Sequence, residues 1–238
     1  MNPVPFILLA ISLPLLLGGC EDKATVNEKE VEEREGVLYI KGSDTLYTGE
    51  ASLFYKNGQK KQAVNYKNGK FDGFAIGWHE NGMEKEEGNY KEGKKDGLWV
   101  SWYKNGQKEQ EGNWKDGKED GLGVMWYENG QKQLEGNWKD GKEDGLFVDF
   151  YKNGKKKKER NYKEGKRDGP WLLWHKNGQK RSEGNYKNDK MDELGVAWHE
   201  NGQKQLETNW KDGKLVKGSA KYWNSKGEPV DSLGETQK

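Results

Sequence analysis

The sequence predicts an all-β protein: an elongated, open antiparallel meander of about seven to eight hairpin repeats, each 24 residues long. Three observations predict it. Only 31% of residues are hydrophobic and 34% are charged, yet the chain has 11 Trp, 11 Tyr and 6 Phe, which is too polar for a large core and too aromatic for disorder. The dipeptide Asn-Gly recurs at a constant interval of 24 residues. Between these turns, apolar and polar positions alternate as in β-strands.

Two series of turns delimit the strands. Asn-Gly begins at residues 57, 81, 105, 129, 153, 177 and 201. The second series lies twelve residues out of phase, as Asn68-Gly69, Glu92-Gly93, Asp116-Gly117, Asp140-Gly141, Glu164-Gly165, Asn188-Asp189 and Asp212-Gly213. Such dipeptides are typical of type I′ turns, in which both central residues have positive φ. The glycines of the first series are therefore expected to be structural: Gly58, Gly82, Gly106, Gly130, Gly154, Gly178 and Gly202.

Each unit consists of an apolar strand followed by a polar strand. Leu98, Val100 and Trp102 share one face, whereas Trp99 and Tyr103 point to the other. A lone hairpin of this kind is marginal in water, so neighbouring units are expected to stabilise one another, as in other repeat arrays. The aromatic column of the first face, which we expect to serve packing, is Phe54, Trp78, Trp102, Trp126, Phe150, Trp174, Trp198 and Tyr222.

The amino terminus has the pattern of an exported protein. Residues 1–19 carry no charged side chain, and an apolar run over residues 5–17 leads into Leu17-Gly18-Gly19-Cys20. This resembles the lipobox of bacterial lipoproteins, although no Lys or Arg precedes the run. A spanning helix is disfavoured, because the run is short and Pro14 interrupts it. The resemblance implies a protein lipid-anchored through Cys20 in the bacterial cell envelope, with inner membrane, outer membrane and surface all open.

The expected organisation has four segments. A lipoprotein signal peptide occupies residues 1–19, and an acidic tether follows the lipidated cysteine over residues 20–38. The repeat domain extends over residues 39–227, and residues 228–238 form a C-terminal tail.

The repeats themselves resemble a known family. Segments such as DGLWVSWYKNGQKEQEGNWKDGK, and the opening Tyr47-Thr48-Gly49-Glu50, resemble the bacterial variant of the MORN repeat found in the YwqK-type antitoxin family, over about residues 39–227. The resemblance implies an elongated single-layer sheet without catalytic machinery. The antitoxin label fits a lipoprotein poorly, because a protein outside the inner membrane does not meet a cytoplasmic toxin. An antitoxin-like role would require an extracytoplasmic toxin.

Comparison of equivalent repeat positions argues against catalysis. His79, His175 and His199 occupy one slot that other repeats fill with tyrosine, which is typical of an exposed strand position. The serines lie in no nucleophile elbow, and Lys118 stands where a calcium loop needs a ligand oxygen. The sequence therefore predicts no enzyme, no catalytic residue, no metal site and no cofactor.

The expected function is binding. The formal net charge of +1 gives no support for nucleic acid as a partner. An interaction scaffold for an envelope protein, recognition of peptidoglycan or another glycan, and direct phospholipid contact remain open. The expected contact surface is a ladder of exposed rings: His79, Tyr103, Tyr127, Tyr151, His175 and His199, with nearby Trp99 and Trp171.

Overall fold

A computed structural model of the chain describes residues 24–25 and 31–236. It confirms the predicted fold class: strands that follow one another along the chain pair antiparallel in one long, open sheet. The proposed signal peptide at residues 1–19 and the proposed lipidation site Cys20 lie outside the described residues.

Three short strands precede the repeats: β1 (Ala24–Thr25), which joins the long sheet, β2 (Val31–Arg34) and β3 (Val37–Ile40). β2 and β3 form a separate two-stranded hairpin, within the stretch that the sequence assigns to a tether. Leu38 of this hairpin is buried with Tyr47, Val64 and Tyr66. The hairpin thus covers the apolar side chains at the start of the sheet, which would otherwise be wet.

Polar and apolar strands then alternate along the sheet. In chain order they are β4 (Gly49–Phe54), β5 (Lys60–Lys67), β6 (Lys70–Trp78), β7 (Glu84–Lys91), β8 (Lys94–Lys95), β9 (Gly97–Trp102), β10 (Lys108–Lys115), β11 (Lys118–Trp126), β12 (Lys132–Lys139), β13 (Lys142–Glu143), β14 (Gly145–Phe150), β15 (Lys156–Lys163), β16 (Lys166–Trp174), β17 (Lys180–Lys187), β18 (Lys190–Trp198), β19 (Lys204–Lys211), β20 (Lys214–Leu215) and β21 (Lys221–Trp223). Where two short strands replace one, as in β8 and β9, both pair with the same polar strand.

The two turn series have different geometries. The second series is type I′ as predicted: Asp116 and Gly117 both have positive φ, 51° and 80°. The type I′ prediction is wrong for the Asn-Gly series, in which the glycine has positive φ (82° at Gly106) and the asparagine does not. Here the Gly106 N–H donates to Tyr103 O and the Tyr103 N–H to Gln107 O, which is a type I turn with a G1 bulge. The Asn105 side chain stabilises this turn by accepting a bond from the Gln107 N–H.

The C-terminal residues also join the structure. β22 (Pro229–Val230) pairs with β21, and a 3₁₀ turn follows at Leu233–Glu235. Thr236 is fully buried and its hydroxyl accepts a bond from Gln205. The tail expected from residue 228 is therefore ordered against the sheet as far as residue 236.

Candidate binding surfaces

One face of the sheet, which we call the ring face, carries Trp99 and its equivalents. Ring centroids of Tyr66, Phe71, Tyr90 and Trp99 follow one another at 4.9–5.0 Å. Trp99 is only 6% exposed, and its Nε1 donates to Asn89 O. The expectation that Trp99 belongs to an exposed ladder is wrong, because its ring packs into this layer.

Glycines of the polar strands make room for these rings. A Cβ added to Gly88 would lie 2.3 Å from the Trp99 ring, and one added to Gly136 would lie 2.3 Å from Phe147. Trp171 is half-buried in the same way over Gly184, and its Nε1 is buried without a hydrogen-bond partner. The Glu-Gly-Asn pattern of the polar strands is the sequence signal for this layer.

One ring-face slot changes chemistry from repeat to repeat. Its members are Phe71, Lys95, Glu119, Glu143, Arg167, Met191 and Leu215. The Lys95 ammonium lies 4.0 Å from the Trp99 ring centroid and 5.0 Å from that of Trp114, and burial lowers its pKa. Burial raises the pKa of Glu119 to about 7, an effect that Lys95 partly opposes. Charged side chains are thus held between aromatic rings in the middle of the ring face.

The expected binding ladder lies at the Asn-Gly turns and links repeats to one another. The Tyr103 hydroxyl donates to Trp126 O at 2.7 Å, and Tyr127 donates to Phe150 O at 2.9 Å. His79 Nε2 lies 2.7 Å from Trp102 O in the same arrangement. Equivalent bonds join the following pairs: Tyr151 to Trp174, His175 to Trp198, and His199 to Trp223. Tyrosine and histidine interchange here because both can donate to a carbonyl of the next repeat.

The last of these bonds corrects the aromatic column at its end. Trp223, not Tyr222, occupies the position equivalent to Trp198. The final repeat is one residue longer, so the fixed 24-residue interval assigns the wrong residue.

The second face, which we call the open face, is organised in parallel rows. In its central row, Val100 lies between Glu87 and Glu111 of the neighbouring strands. Lys108 Nζ is 2.7 Å from Glu111 Oε2 and 5.7 Å from the centroid of the Trp126 ring. The same ion pair forms in four later repeats, at Lys132–Glu135, Lys156–Glu159, Lys180–Glu183 and Lys204–Glu207. Much of this face is thereby covered by its own side chains.

One row of the open face is left uncovered. This leucine row consists of Phe74, Leu98, Leu122, Leu146 and Leu194, each 43–51% exposed, with Pro170 in the remaining slot. Asparagines such as Asn113 and Asn137 lie between its members on the polar strands. Consecutive members sit on every second strand, so they are about 9–10 Å apart.

Lysines follow the leucine row along the type I′ turns. In each repeat two lysines are direct cross-strand partners, one on each side of the turn. These lysine pairs are Lys67/Lys70, Lys91/Lys94, Lys115/Lys118, Lys139/Lys142, Lys163/Lys166, Lys187/Lys190 and Lys211/Lys214. All are exposed.

Comparison with known families identifies the repeats. The profile described as the MORN repeat variant matches residues 47–68, 95–116, 119–140, 143–164 and 167–188. These five segments are similar to the MORN repeat variant. No curated protein matches the chain. Similarity to such repeats indicates a repeat-based binding module, and each of the five matched segments ends at the first central residue of a type I′ turn.

The repeat domain has neither of two other features that would point to a site or an anchor. Within residues 24–25 and 31–236, no group of three or more His, Cys, Asp or Glu side chains could hold a metal ion. No helix in the same ranges is long and apolar enough to cross a membrane.

Proposed function

We propose that this protein is a non-enzymatic, lipid-anchored component of the bacterial cell envelope that binds another envelope protein through the leucine row. The observation that carries the proposal is that the same exposed position holds an apolar side chain in repeat after repeat, although an exposed position can equally hold a polar residue. Exposed apolar surface of this kind, when it is not scattered singly, is typical of interaction sites.

The two faces differ in what they offer a partner. The rings of the ring face are engaged with one another and with buried charges such as Lys95. On the open face, Lys108 lies over the Trp126 ring, where a sugar would have to stack. This arrangement favours protein binding over glycan recognition. The Tyr and His ladder stays a prediction as a contact surface, but its polar groups are already hydrogen-bonded between repeats.

In vivo crosslinking tests the proposal. A photoreactive residue placed at Leu122 is expected to form an adduct with one envelope protein, identified by mass spectrometry. Met83 is the matched control, since it is 46% exposed but lies at an Asn-Gly turn away from the leucine row. Equal adducts from both positions, or capture of glycan alone, would contradict the proposed surface. Capture of an extracytoplasmic toxin would make this protein antitoxin-like.

The anchor has its own test. Cys20→Ser removes the thiol that would be acylated, so the variant is expected in the soluble fraction, whereas the parent requires detergent for extraction. A variant that still requires detergent would refute lipid anchoring, while leaving the crosslinking result to decide the binding surface.

A further inference from the structure

Resting on the proposed function, we infer that the leucine row and the lysine pairs together bind one extended, acidic segment of the partner protein, in which an apolar residue recurs at every third position. Two independent features lead to this segment: the charge of the lysine pairs and the spacing of the leucine row.

The lysine pairs are unfavourable for the stability of the sheet. Like charges placed directly opposite on neighbouring strands are destabilising, yet the same pair recurs at every type I′ turn, as in Lys115/Lys118 and Lys139/Lys142. Lys211 lies 3.5 Å from Asp192. The other lysines of these pairs form no salt bridge within the described part of the chain. An arrangement that opposes folding and persists in each unit indicates a role in binding.

Nearby carboxylates do not form ion pairs with most of these lysines. Most turns hold one acidic residue between two lysines, as Asp116 does between Lys115 and Lys118. The aspartates of the following strand are used by the backbone, for example Asp120, whose Oδ2 accepts the Asp140 N–H at 3.3 Å. Apart from Lys211, the ammonium groups of the lysine pairs have no carboxylate within salt-bridge distance in the described part of the chain, and a ligand with acidic side chains would supply one.

The lysine pairs and the leucine row lie on the same face. Asn113 is paired with Leu98, and Lys115 is two residues further along the same strand, so alternation places it on that face about 7 Å away. A ligand crossing the strands over the leucine row therefore passes within reach of the lysine side chains.

The spacing of the row selects the ligand's conformation. Leu98, Leu122 and Leu146 are about 9–10 Å apart across the sheet. A polyproline II helix rises about 3.1 Å per residue with three residues per turn, so every third side chain recurs at about 9.3 Å. In a β-strand, side chains on one face recur at about 7 Å, so a ligand in this conformation would no longer match the leucine row after one repeat. Apolar residues at every third position of such a segment match the row, and acidic residues between them reach the lysines.

The shape of the row favours a peptide over a lipid surface. Asn137 is the cross-strand partner of Leu122 on one side, and on the other side the Asn113 side-chain amide donates to Leu122 O at 3.3 Å. Val124, two residues along the same strand, is buried. The exposed apolar surface is thus one side chain wide, whereas membrane-surface binding needs a broad apolar face.

Binding of a synthetic peptide tests the inference. The probe is a fluorescent peptide of four Leu-Pro-Glu units, and its control is a peptide of the same composition with the three-residue period scrambled. Fluorescence anisotropy with the full-length chain is expected to show at least about tenfold tighter binding of the periodic peptide. The double variant Leu122→Asn with Leu146→Asn is expected to lose about tenfold or more in affinity, and Met83→Asn to lose none.

Charge is tested separately. Replacing Lys115, Lys118, Lys139 and Lys142 by Gln is expected to weaken periodic-peptide binding about tenfold and to remove most of its salt dependence. Circular dichroism of the same variant should show an intact sheet. Unchanged affinity in this variant would contradict a role for the lysine pairs.

Four further outcomes are decisive. Equal binding of periodic and scrambled peptides would overturn the three-residue period. Binding to phosphatidylglycerol vesicles without peptide binding would assign the surface to membranes instead. Crosslinking of an envelope protein at residue 122 without peptide binding would overturn this inference alone. Loss of both the crosslink at residue 122 and peptide binding would overturn the proposed function as well.

Discussion

Leu98 and Trp99 are neighbours in one strand and have opposite environments. Leu98, on the open face, is 51% exposed, whereas Trp99, on the ring face, is 6% exposed. Both are large and apolar, so hydrophobicity does not decide which side is covered. The ring face is covered because the polar strands place glycine opposite its rings, as Gly88 does for Trp99. The open face places Asn113 beside Leu98, and asparagine leaves the leucine uncovered. One face stabilises the sheet, and one row of the other stays exposed, where we propose that a partner binds.

The largest expected effect on stability comes from a change on the covered ring face. Trp99→Ala removes a buried ring that contacts Tyr90 and Lys95, and it should lower the unfolding free energy by about 3–5 kcal/mol. Leu98→Ala, the matched change next to it, should stay within about 0.5 kcal/mol of the parent. Chemical unfolding measures both. Comparable losses at the two positions would contradict the assignment of the faces.

A second pair of variants tests the glycines. Gly136→Ala would push a Cβ to 2.3 Å from the Phe147 ring, so overpacking should reduce stability by about 1–3 kcal/mol. The Cβ that Gly112→Ala adds would have no neighbouring atom closer than 3.9 Å, so this variant should be neutral or more stable by up to about 1 kcal/mol. Thermal melting of the two variants should therefore shift in different directions. Equal shifts would show that ring packing does not require these glycines.

The buried carboxyl of the ring face gives a pH dependence. Burial raises the pKa of Glu119 from 4.5 to about 7, so the folded state binds this proton more tightly than the unfolded chain. Its stabilising contribution is complete below about pH 4.5 and is lost as the pH rises through about 7. Glu119→Gln should flatten this dependence and raise stability at pH 8 by on the order of 1 kcal/mol, after allowance for partial exposure.

A matched control identifies the source of the pH effect. Glu128→Gln alters an exposed carboxyl at an Asn-Gly turn and should leave the dependence between pH 4.5 and 7 unchanged. If both variants flatten the unfolding curve equally, the effect does not come from the ring face.

The smallest expected effect concerns the lysine pairs. Replacement of Lys115, Lys118, Lys139 and Lys142 by Gln relieves two like-charge contacts and should raise the unfolding free energy by a few tenths of a kcal/mol per pair. The gain should shrink with added salt, because these charges are exposed. A loss of stability would show that the pairs contribute to the fold.

Much of the sheet follows from the spacing of turns alone. The interval between Asn-Gly dipeptides predicts the meander, and alternation correctly separates Trp99 from Val100. Alternation cannot say which face is covered, because that depends on the residues opposite, such as Gly88. The exposure expected for Trp99 was wrong for this reason.

Other features depend on contacts that no interval shows. The Asn-Gly turns are not type I′, since the Asn105 side chain and the bulge at Gly106 set a different geometry. The hairpin of β2 and β3 lies in a charged stretch and forms because Leu38 packs on the first repeat. The leucine row could have been found from sequence, since most of its members follow an Asp-Gly dipeptide that belongs to neither turn series, as Leu98 and Leu122 do, but its exposure could not.

The most direct test of the difference between the two faces is to crosslink one double variant and compare it with the parent. The full-length chain carrying Leu122→Asn and Leu146→Asn is compared with the parent for crosslinking to the proposed envelope partner from a photoreactive residue at Leu98. The unfolding free energies of both chains are measured as well. Retained stability, within about 0.5 kcal/mol, with loss of the adduct is the expected result. An adduct of undiminished yield, or a loss of stability as large as that of Trp99→Ala, would contradict the account.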